Sequence, residues 1–283
     1  MSVPTSESLR AELLAVIAAG LGAAMPDDAF DRLARAVFAH QLACNRPYRL
    51  FCERRGASPE TVEHWSQIPA VPTDAFKAAA LVCGDPGEIE AAAAGKQDAH
   101  RSAAVFRTSG TTLGPGQRGI HYVPDLALYD AALRAGFRAH VLPEGGRMRM
   151  VSLVPRPAEV PDSSLSHMAG AVAADFGTEA SGWYVSPSGG IDEAGLEAAL
   201  RDAEAAVEPV YLLGTAFALV HWLEALRQAG TRFRLPEGSR LMDTGGFKGR
   251  SREVTREELY GAVGEMTGIG HAWCVNEYGM TEM

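Results

Sequence analysis

The sequence predicts an α/β protein in which a mostly parallel, layered sheet follows a helical segment. From about residue 102 onward, short apolar runs alternate with amphipathic segments of helical length, a pattern typical of strands joined by helices. The residues before that point instead carry apolar side chains at helical spacing, as in Leu9, Leu13 and Ile17. At 283 residues the chain is long enough to bury a sizeable core.

Residues 1–100 are expected to form a helical part. After the helix that contains Leu9, a second helix is predicted for residues 27–44, with Asp27 or Asp28 capping the free amides of its first turn. Prolines predict an extended stretch over residues 68–77, and the alanine-rich segment 88–95 predicts an exposed helix.

Residues 101–283 are expected to form the α/β core. Because no flexible linker separates it from the helical part, the two are expected to pack as one unit. The predicted strands cover residues 103–107, 120–123, 148–154, 210–213, 239–242 and 272–275. The predicted helices cover residues 126–139, 165–175, 193–206, 217–229 and 256–266.

The charge and the cysteine content limit which partners the protein could bind and in which compartment it is expected. The net charge of −9 opposes binding to nucleic acid or to anionic lipid, because both are polyanions. The apolar run 13–25 is shorter than the ~20 residues that span a bilayer, and Glu7 and Glu12 do not suit a signal peptide. The scattered cysteines predict neither a disulfide nor a zinc site, so the expected location is the cytoplasm. They are Cys44, Cys52, Cys83 and Cys274.

The densest motif is the segment 106–119, which follows a predicted strand and combines hydroxyls with glycines. Glycines expose backbone amides to an anion, hydroxyls donate further hydrogen bonds, and Arg118 supplies a cation. A phosphate-binding loop is therefore predicted, with an ordinary solvated loop as the alternative. Its hydroxyls and relevant glycines are Thr108, Ser109, Gly110, Thr111, Thr112 and Gly114.

Two other phosphate-loop types do not fit this segment. Residues 114–119 match G-x-G-x-x-G, but a dinucleotide fingerprint must open a helix, and the residues that follow are strand-like. A Walker loop needs Gly-Lys-Ser/Thr, which the sequence lacks. A serine hydrolase using Ser109 is disfavoured because there is no G-x-S-x-G elbow.

Two further motifs directly follow predicted strands. Residues 276–282 provide a tyrosine face for a purine, a threonine hydroxyl for a phosphate and a carboxylate for Mg²⁺. Residues 243–249 contain paired glycines that allow close approach to a flat ring. Ordinary strand-end turns are the alternative for each. Because ligands gather at the carboxyl ends of strands in α/β sheets, all three motifs are expected to share one site.

The order of these motifs resembles that of the adenylate-forming superfamily of acyl-CoA synthetases and luciferases. Thr-Ser-Gly-Thr-Thr at 108–112 is followed by Gly-Gly at 245–246 and by Tyr-Gly-Met-Thr-Glu at 278–282. Residues 68–77, 245–249 and 276–282 are most similar to the acyl-protein synthetases of bacterial luminescence. The resemblance covers roughly residues 28–283 and implies the large N-terminal core of such enzymes.

This resemblance implies a role for each matched residue. Residues 108–112 with Gly114 would hold the β- and γ-phosphates of ATP, Thr281 would contact the α-phosphate, and Glu282 would bind Mg²⁺. Arg118 stands near the position of the family's usual loop lysine and would face the pyrophosphate. The adenine set would be Gly245, Gly246 and Tyr278, with Phe247, Asn276 and Gly279 completing the nucleotide site.

The implied acid site rests on fewer residues. His167 resembles the family's gate beside the carboxylate, with a structural histidine as the alternative. Gly214, Thr215 and Phe217 would line the acyl pocket, with ordinary packing at a helix start as the alternative. The chain stops at Met283, before the family's ribose-binding acid and its lid with a catalytic lysine, and is therefore expected to be truncated.

The expected activity is ATP-dependent activation of a carboxylic acid as acyl-AMP, with release of pyrophosphate. The acid is expected to be fatty or aromatic. The acyl group would pass to a thiol of a protein cysteine, coenzyme A or a carrier protein. The alternative is a non-catalytic nucleotide-binding fragment that acts with a partner chain. The sequence gives no indication of oligomeric state.

Overall fold

The computed structural model describes residues 6–95, 103–108, 118–245 and 254–278. The helices in these ranges are α1 (Ser6–Ala19), α2 (Asp27–Cys44), α3 (Arg46–Glu53), α4 (Ala75–Ala78), α5 (Pro86–Ala93), α6 (Leu126–His140), α7 (Ser164–Phe176), α8 (Glu193–Ala206), α9 (Ala216–Ala229) and α10 (Arg256–Thr267). The strands are β1 (Ala104–Arg107), β2 (Ile120–Val123), β3 (Arg149–Leu153), β4 (Gly182–Trp183), β5 (Val210–Thr215), β6 (Arg240–Thr244) and β7 (Cys274–Glu277). The chain forms two compact units that divide after Ala139.

The second unit contains a parallel sheet, as predicted. Its strand order is β4-β3-β5-β6-β7, and each neighbouring pair is parallel. A helix precedes each of β4, β5, β6 and β7, which gives the alternation of strands and helices that the sequence predicts. The α/β fold class is confirmed.

The strands of this sheet form because their side chains are buried on both faces. All five residues of β3 and of β6 are buried, as are the first five of β5. Such continuous runs of buried residues are typical of central parallel strands. Helices α8, α9 and α10 add apolar side chains to the same core, including Leu200, Trp222 and Val263.

The first unit combines helices with an antiparallel hairpin. Strands β1 and β2 pair from Ala104 opposite Val123 to Arg107 opposite Ile120. A small core joins α2, α3 and the segment that follows them, and it includes Phe38, Tyr48 and Val62. The predicted boundary near residue 100 coincides with the first strand, whereas the compact units divide after Ala139. The domain assignment stays a prediction.

Several local predictions are wrong. Neither Asp27 nor Asp28 caps α2, because the helix already begins at Asp27 and Pro26 occupies the cap position without a side-chain bond. Residues 68–77 were predicted to be extended throughout, but the chain turns after Pro72 and enters α4. The turn forms because the amide of Ala75 donates to the carbonyl of Pro72. Helix α3 and the two-residue strand β4 were not predicted.

The prediction that the cysteines are unpaired is also wrong. Cys44, the last residue of α2, forms a disulfide with Cys83, and their Cα atoms lie 4.7 Å apart. The two positions are 39 residues apart in the chain, so no local spacing reveals the pair. The prediction of a cytoplasmic location therefore loses the support that it drew from unpaired cysteines. Among the described helices, none has the length and apolar character needed to span a bilayer.

Candidate active site

The register of the sheet brings the ends of three strands together. Thr215 at the end of β5 pairs with Thr244 of β6, which in turn pairs with Glu277 of β7. Because the strands are parallel, the residues after each of them emerge at one edge, where ligands bind in open α/β sheets. We call this edge the carboxyl edge. It contains the predicted residues Gly214, Thr215, Gly245, Asn276 and Tyr278.

A buried carboxylate organises the carboxyl edge. Asp243 is 2% exposed, and its Oδ1 accepts a hydrogen bond from the hydroxyl of Tyr260 on α10. Its Oδ2 accepts a hydrogen bond of 2.8 Å from Nδ2 of Asn276. Arg256 donates to Oδ1 of Asn276 at 2.8 Å, so both ends of this amide are engaged. The network links α10 to the ends of β6 and β7 and holds Asn276 in one orientation.

This environment disfavours ionisation of the groups around Asp243. Burial raises the pKa of Tyr260, and the hydrogen bond to Asp243 raises it further. Burial also raises the pKa of the Cys274 thiol to about 12, and the negative charge of Asp243 adds to the effect. Cys274 is therefore a neutral thiol at physiological pH, which does not suit an acceptor that must attack as thiolate.

A second contact joins the same two strands. The Thr244 hydroxyl donates to Oε2 of Glu277. Tyr211 of β5 is buried, and its pKa is raised well above its ordinary value by burial and then by the Glu277 charge. Glu277 is thus a carboxylate at the carboxyl edge that the sequence analysis did not select.

The two residues predicted to bind adenine in this part of the chain are accessible. Gly245 has φ of +77°, a conformation that L side chains rarely adopt, and no atom of the described residues lies within 4 Å of the position that a Cβ would occupy. Tyr278 directly follows β7 and is 75% exposed. The positions leave room for a flat ring, but the adenine assignment itself stays a prediction.

The residues predicted to line an acyl pocket make packing and capping contacts within the fold. A Cβ at Gly214 would lie 3.0 Å from Leu219, so the glycine allows α9 to pack against β5. The Thr215 side chain accepts a 3.1 Å hydrogen bond from the amide of Ala218 and caps α9. The Phe217 ring contacts His221, with ring centroids 4.4 Å apart. These contacts support the packing alternative, and the role in a pocket stays a prediction.

His167 lies near the amino end of α7, after the capping residue Ser163. The other end of this helix meets the start of β3, because the amide of Met148 donates to the carbonyl of Phe176 at 2.8 Å. Nearer its amino end, a Cβ at Gly170 would collide with the side chain of Pro157, which follows β3. Helix α7 therefore runs antiparallel to β3, and its amino end with His167 lies on the side of the carboxyl edge. Next to His167, Ser166 is 1% exposed and its hydroxyl has no partner among the described residues.

The predicted phosphate loop joins β1 to β2 in the first unit. Its base is closed by the Thr108 hydroxyl, which accepts from the amide of Gly119 at 2.8 Å, and by the reverse backbone bond from Thr108 to Gly119 at 3.0 Å. Arg118 donates to the carbonyls of Thr108 and Arg107. These bonds fix the two ends of the loop and hold the Arg118 guanidinium at its base.

The remaining predicted site residues lie outside the described residues. They are Ser109, Gly110, Thr111, Thr112, Gly114, Gly246, Phe247, Gly279, Thr281 and Glu282.

Sequence reasoning missed the residues that position the site rather than those predicted to touch a ligand. Asp243 carried a signal, since it directly follows a predicted apolar strand and a charged residue buried at such a place needs partners. Its partner Tyr260 is 17 residues away on a helix and carried none.

Comparison with known proteins supports the fold. No family model matches the chain, and no curated protein matches it. The fold matches that of part of a solved CoA ligase. A solved structure that matches is an open conformation of 2-hydroxyisobutyryl-CoA ligase in complex with 2-HIB-AMP and CoA. The two are 16% identical with a TM-score of 0.55, and the match covers 92% of this chain but 52% of the ligase. The chain thus spans about half the length of that ligase.

Proposed function

We propose that the chain activates a carboxylic acid with ATP, forming acyl-AMP and pyrophosphate, and that the acyl group then passes to a thiol. The observation that carries this proposal is the register of β5, β6 and β7, which brings Thr215, Thr244 and Glu277 together. This edge occurs in a fold shared with a ligase whose structure holds 2-HIB-AMP.

The first step requires positioning and charge stabilisation rather than an enzyme nucleophile. A carboxylate oxygen of the acid attacks the α-phosphorus, and the bond from that phosphorus to the pyrophosphate oxygen breaks. Residues 108–112 and Gly114 would hold the β- and γ-phosphates, and Arg118 would offset charge on the leaving pyrophosphate. Thr281 would contact the α-phosphate, whose charge changes during the reaction.

The nucleotide base would lie at the carboxyl edge. Exposed Tyr278 offers a flat face, and at Gly245 no described residue would block a ring that lies against bare backbone. Gly246, Phe247 and Gly279 would complete this site. Asn276 would hold the end of β7 in place rather than bind the base, because its side chain is already hydrogen-bonded to Asp243 and Arg256.

The carboxylates near the carboxyl edge differ in how well they could bind the proposed Mg²⁺. Both oxygens of Asp243 already accept hydrogen bonds, which leaves this group poorly suited as a metal ligand. Glu277 has the oxygen chemistry that Mg²⁺ prefers, and Glu282 would be the principal ligand. When bound, the cation would neutralise charge on the phosphates.

The acid and its acceptor follow from the sequence resemblance. We propose a fatty or aromatic acid, with a protein cysteine, coenzyme A or a carrier protein as the acceptor. The amino end of α7, which carries His167, and Phe217 on α9 would border the acid. The enzyme would be cytoplasmic, and its use of ATP would be similar to that of the acyl-protein synthetases.

Acid-dependent exchange of labelled pyrophosphate into ATP tests the proposal. The chain would be assayed with fatty and aromatic acids, and T281A and E282Q are each expected to lower the exchange rate about 10²–10³-fold. E237Q and T231A serve as controls, because both lie in the connection that leads into the opposite end of β6. Their exchange rates should equal that of the wild-type chain.

The outcomes separate the two functional hypotheses. Exchange that T281A and E282Q leave unchanged would contradict the proposal. ATP binding without exchange for any acid would favour the alternative, a non-catalytic nucleotide-binding unit that acts with a partner chain.

A further inference from the structure

A cluster of one histidine and two cysteines lies in the first unit, among residues that the proposed ligase chemistry does not use. His40 and Cys44 are four residues apart on α2 and therefore share one face of the helix. Nε2 of His40 lies 3.5 Å from Sγ of Cys44. Cys83 completes the cluster, and the ligand atoms of all three residues lie within 4.8 Å of one another.

Both supporting segments are anchored. Helix α2 buries Phe38 and Leu42 in the core of the first unit. Cys83 follows buried Val82 and precedes Asp85, whose side chain caps α5 by accepting from the amide of Glu88 at 3.0 Å. The backbones on either side of the cluster are thus held in place independently of the bond between the two sulfurs.

We propose that the dithiol form of this cluster binds a zinc-class divalent cation through Nε2 of His40 and the thiolates of Cys44 and Cys83. Tetrahedral zinc with ordinary bond lengths needs ligand separations of about 3.6 Å between nitrogen and sulfur and about 3.8 Å between sulfurs. The nitrogen of His40 already lies at such a separation from the sulfur of Cys44. Reduction frees the sulfur of Cys83 to take the third position.

The chemistry of the donors favours this class of cation. Two thiolates and one imidazole suit zinc and exclude hard cations such as Mg²⁺ and Ca²⁺, which prefer oxygen. All three side chains are half-buried, so solvent reaches one side of the cluster. Three protein ligands leave a fourth position for water or an added ligand.

Cation binding and the disulfide exclude each other, because the same sulfurs serve both. With oxidised glutathione as the oxidant, the Cys44 thiolate attacks one glutathione sulfur and releases the first glutathione thiolate. The Cys83 thiolate then attacks Cys44 and displaces the second glutathione, so that two electrons pass from the protein to the oxidant. The cation is released to solvent, because the disulfide consumes its two thiolate ligands. The cluster therefore acts as a redox-gated metal site.

Cobalt titration of the full chain tests this inference independently of the ligase proposal. The chain is reduced with a phosphine, freed of excess reagent without oxygen, and titrated with Co²⁺. One equivalent should give the thiolate charge-transfer and visible bands of tetrahedral cobalt, and Zn²⁺ should abolish them. Each of C44S, C83S and H40Q should weaken cobalt binding about 100-fold, the share of one ligand in a structural zinc site.

Controls keep the test decisive. C274S and H140Q remove a cysteine and an exposed histidine outside the cluster and should bind cobalt as the wild-type chain does. Oxidised wild-type chain should show no tetrahedral bands until the phosphine is added, a comparison that needs no variant. The inference would be overturned if the reduced chain bound only octahedral cobalt. It would also be overturned if C44S and C83S bound cobalt as tightly as the wild-type chain.

Discussion

Removing the Tyr260 hydroxyl tests the network that positions the carboxyl edge. Y260F keeps the ring, which contacts His271 with ring centroids 5.0 Å apart, and deletes only the hydrogen bond to Asp243. A hydrogen bond to a charged group contributes roughly 1.5–3 kcal/mol, and Asp243 remains buried with one partner fewer. We therefore expect the free energy of unfolding to fall by about 2 kcal/mol.

Urea unfolding measures this loss, and the melting temperature should fall by roughly 5 °C. Y184F is a matched control, because Tyr184 is also a partly buried tyrosine of the second unit and its hydroxyl has no hydrogen bond within the described chain. A double-mutant cycle with D243N refines the test. The hydrogen bond from Tyr260 is then to a neutral group, so its removal should cost about 1 kcal/mol less than in the wild-type background.

Equal losses of stability in Y260F and Y184F would contradict this prediction. A cost of Y260F that D243N leaves unchanged would also contradict it, because the charge of Asp243 would then contribute nothing to the network.

Three further predictions concern the second unit. Burial raises the pKa of Cys274 from 9.0 to about 12, so its contribution to stability is complete below pH 9 and is lost as the pH rises toward 12. C274S should therefore flatten the alkaline slope of the unfolding free energy. G214A should cost about 1–3 kcal/mol, because a Cβ there would lie 3.0 Å from Leu219. A Cβ added by G261A on α10 would meet no atom of the described residues within 4 Å, so this change should stabilise the chain by about 0.5–1 kcal/mol. V207G should stabilise by about 0.5–1 kcal/mol, because Val207 ends α8 with φ of +52° and is 74% exposed.

Urea unfolding at a series of pH values checks all three. An alkaline slope that C274S does not change would contradict the first prediction. Equal signs for G214A and G261A would contradict the second, and a loss of stability in V207G would contradict the third.

The regular part of the fold follows from local patterns. Strands β3, β5 and β6 consist of consecutive buried side chains, so their apolar runs locate them to within two residues at either end. Helix α8 was predicted with the bounds that the structure has, because its apolar residues keep one spacing between clear end signals. Strand β4 has two residues, too few to show any period.

Contacts between distant residues explain most of what the sequence did not reveal. Cys44 and Cys83 meet because α2 ends where the segment before α5 passes, and nothing near either cysteine encodes that meeting. The same holds for Tyr260 and Asp243, whose contact depends on how α10 packs beside β6. The motifs therefore predicted where the candidate site lies. The contacts between distant residues that position it became visible only in the structure.

Calorimetric titration with ATP and Mg²⁺ tests the central claim, that the carboxyl edge holds the nucleotide. The wild-type chain should bind one equivalent of ATP, and Y278A should weaken binding roughly 10-fold, since stacking of a base on an aromatic ring contributes ~1–3 kcal/mol. E237Q, in the connection that leads into the opposite end of β6, should bind as the wild-type chain does. Equal affinity of Y278A and the wild-type chain, or no binding of ATP by either, would contradict the claim.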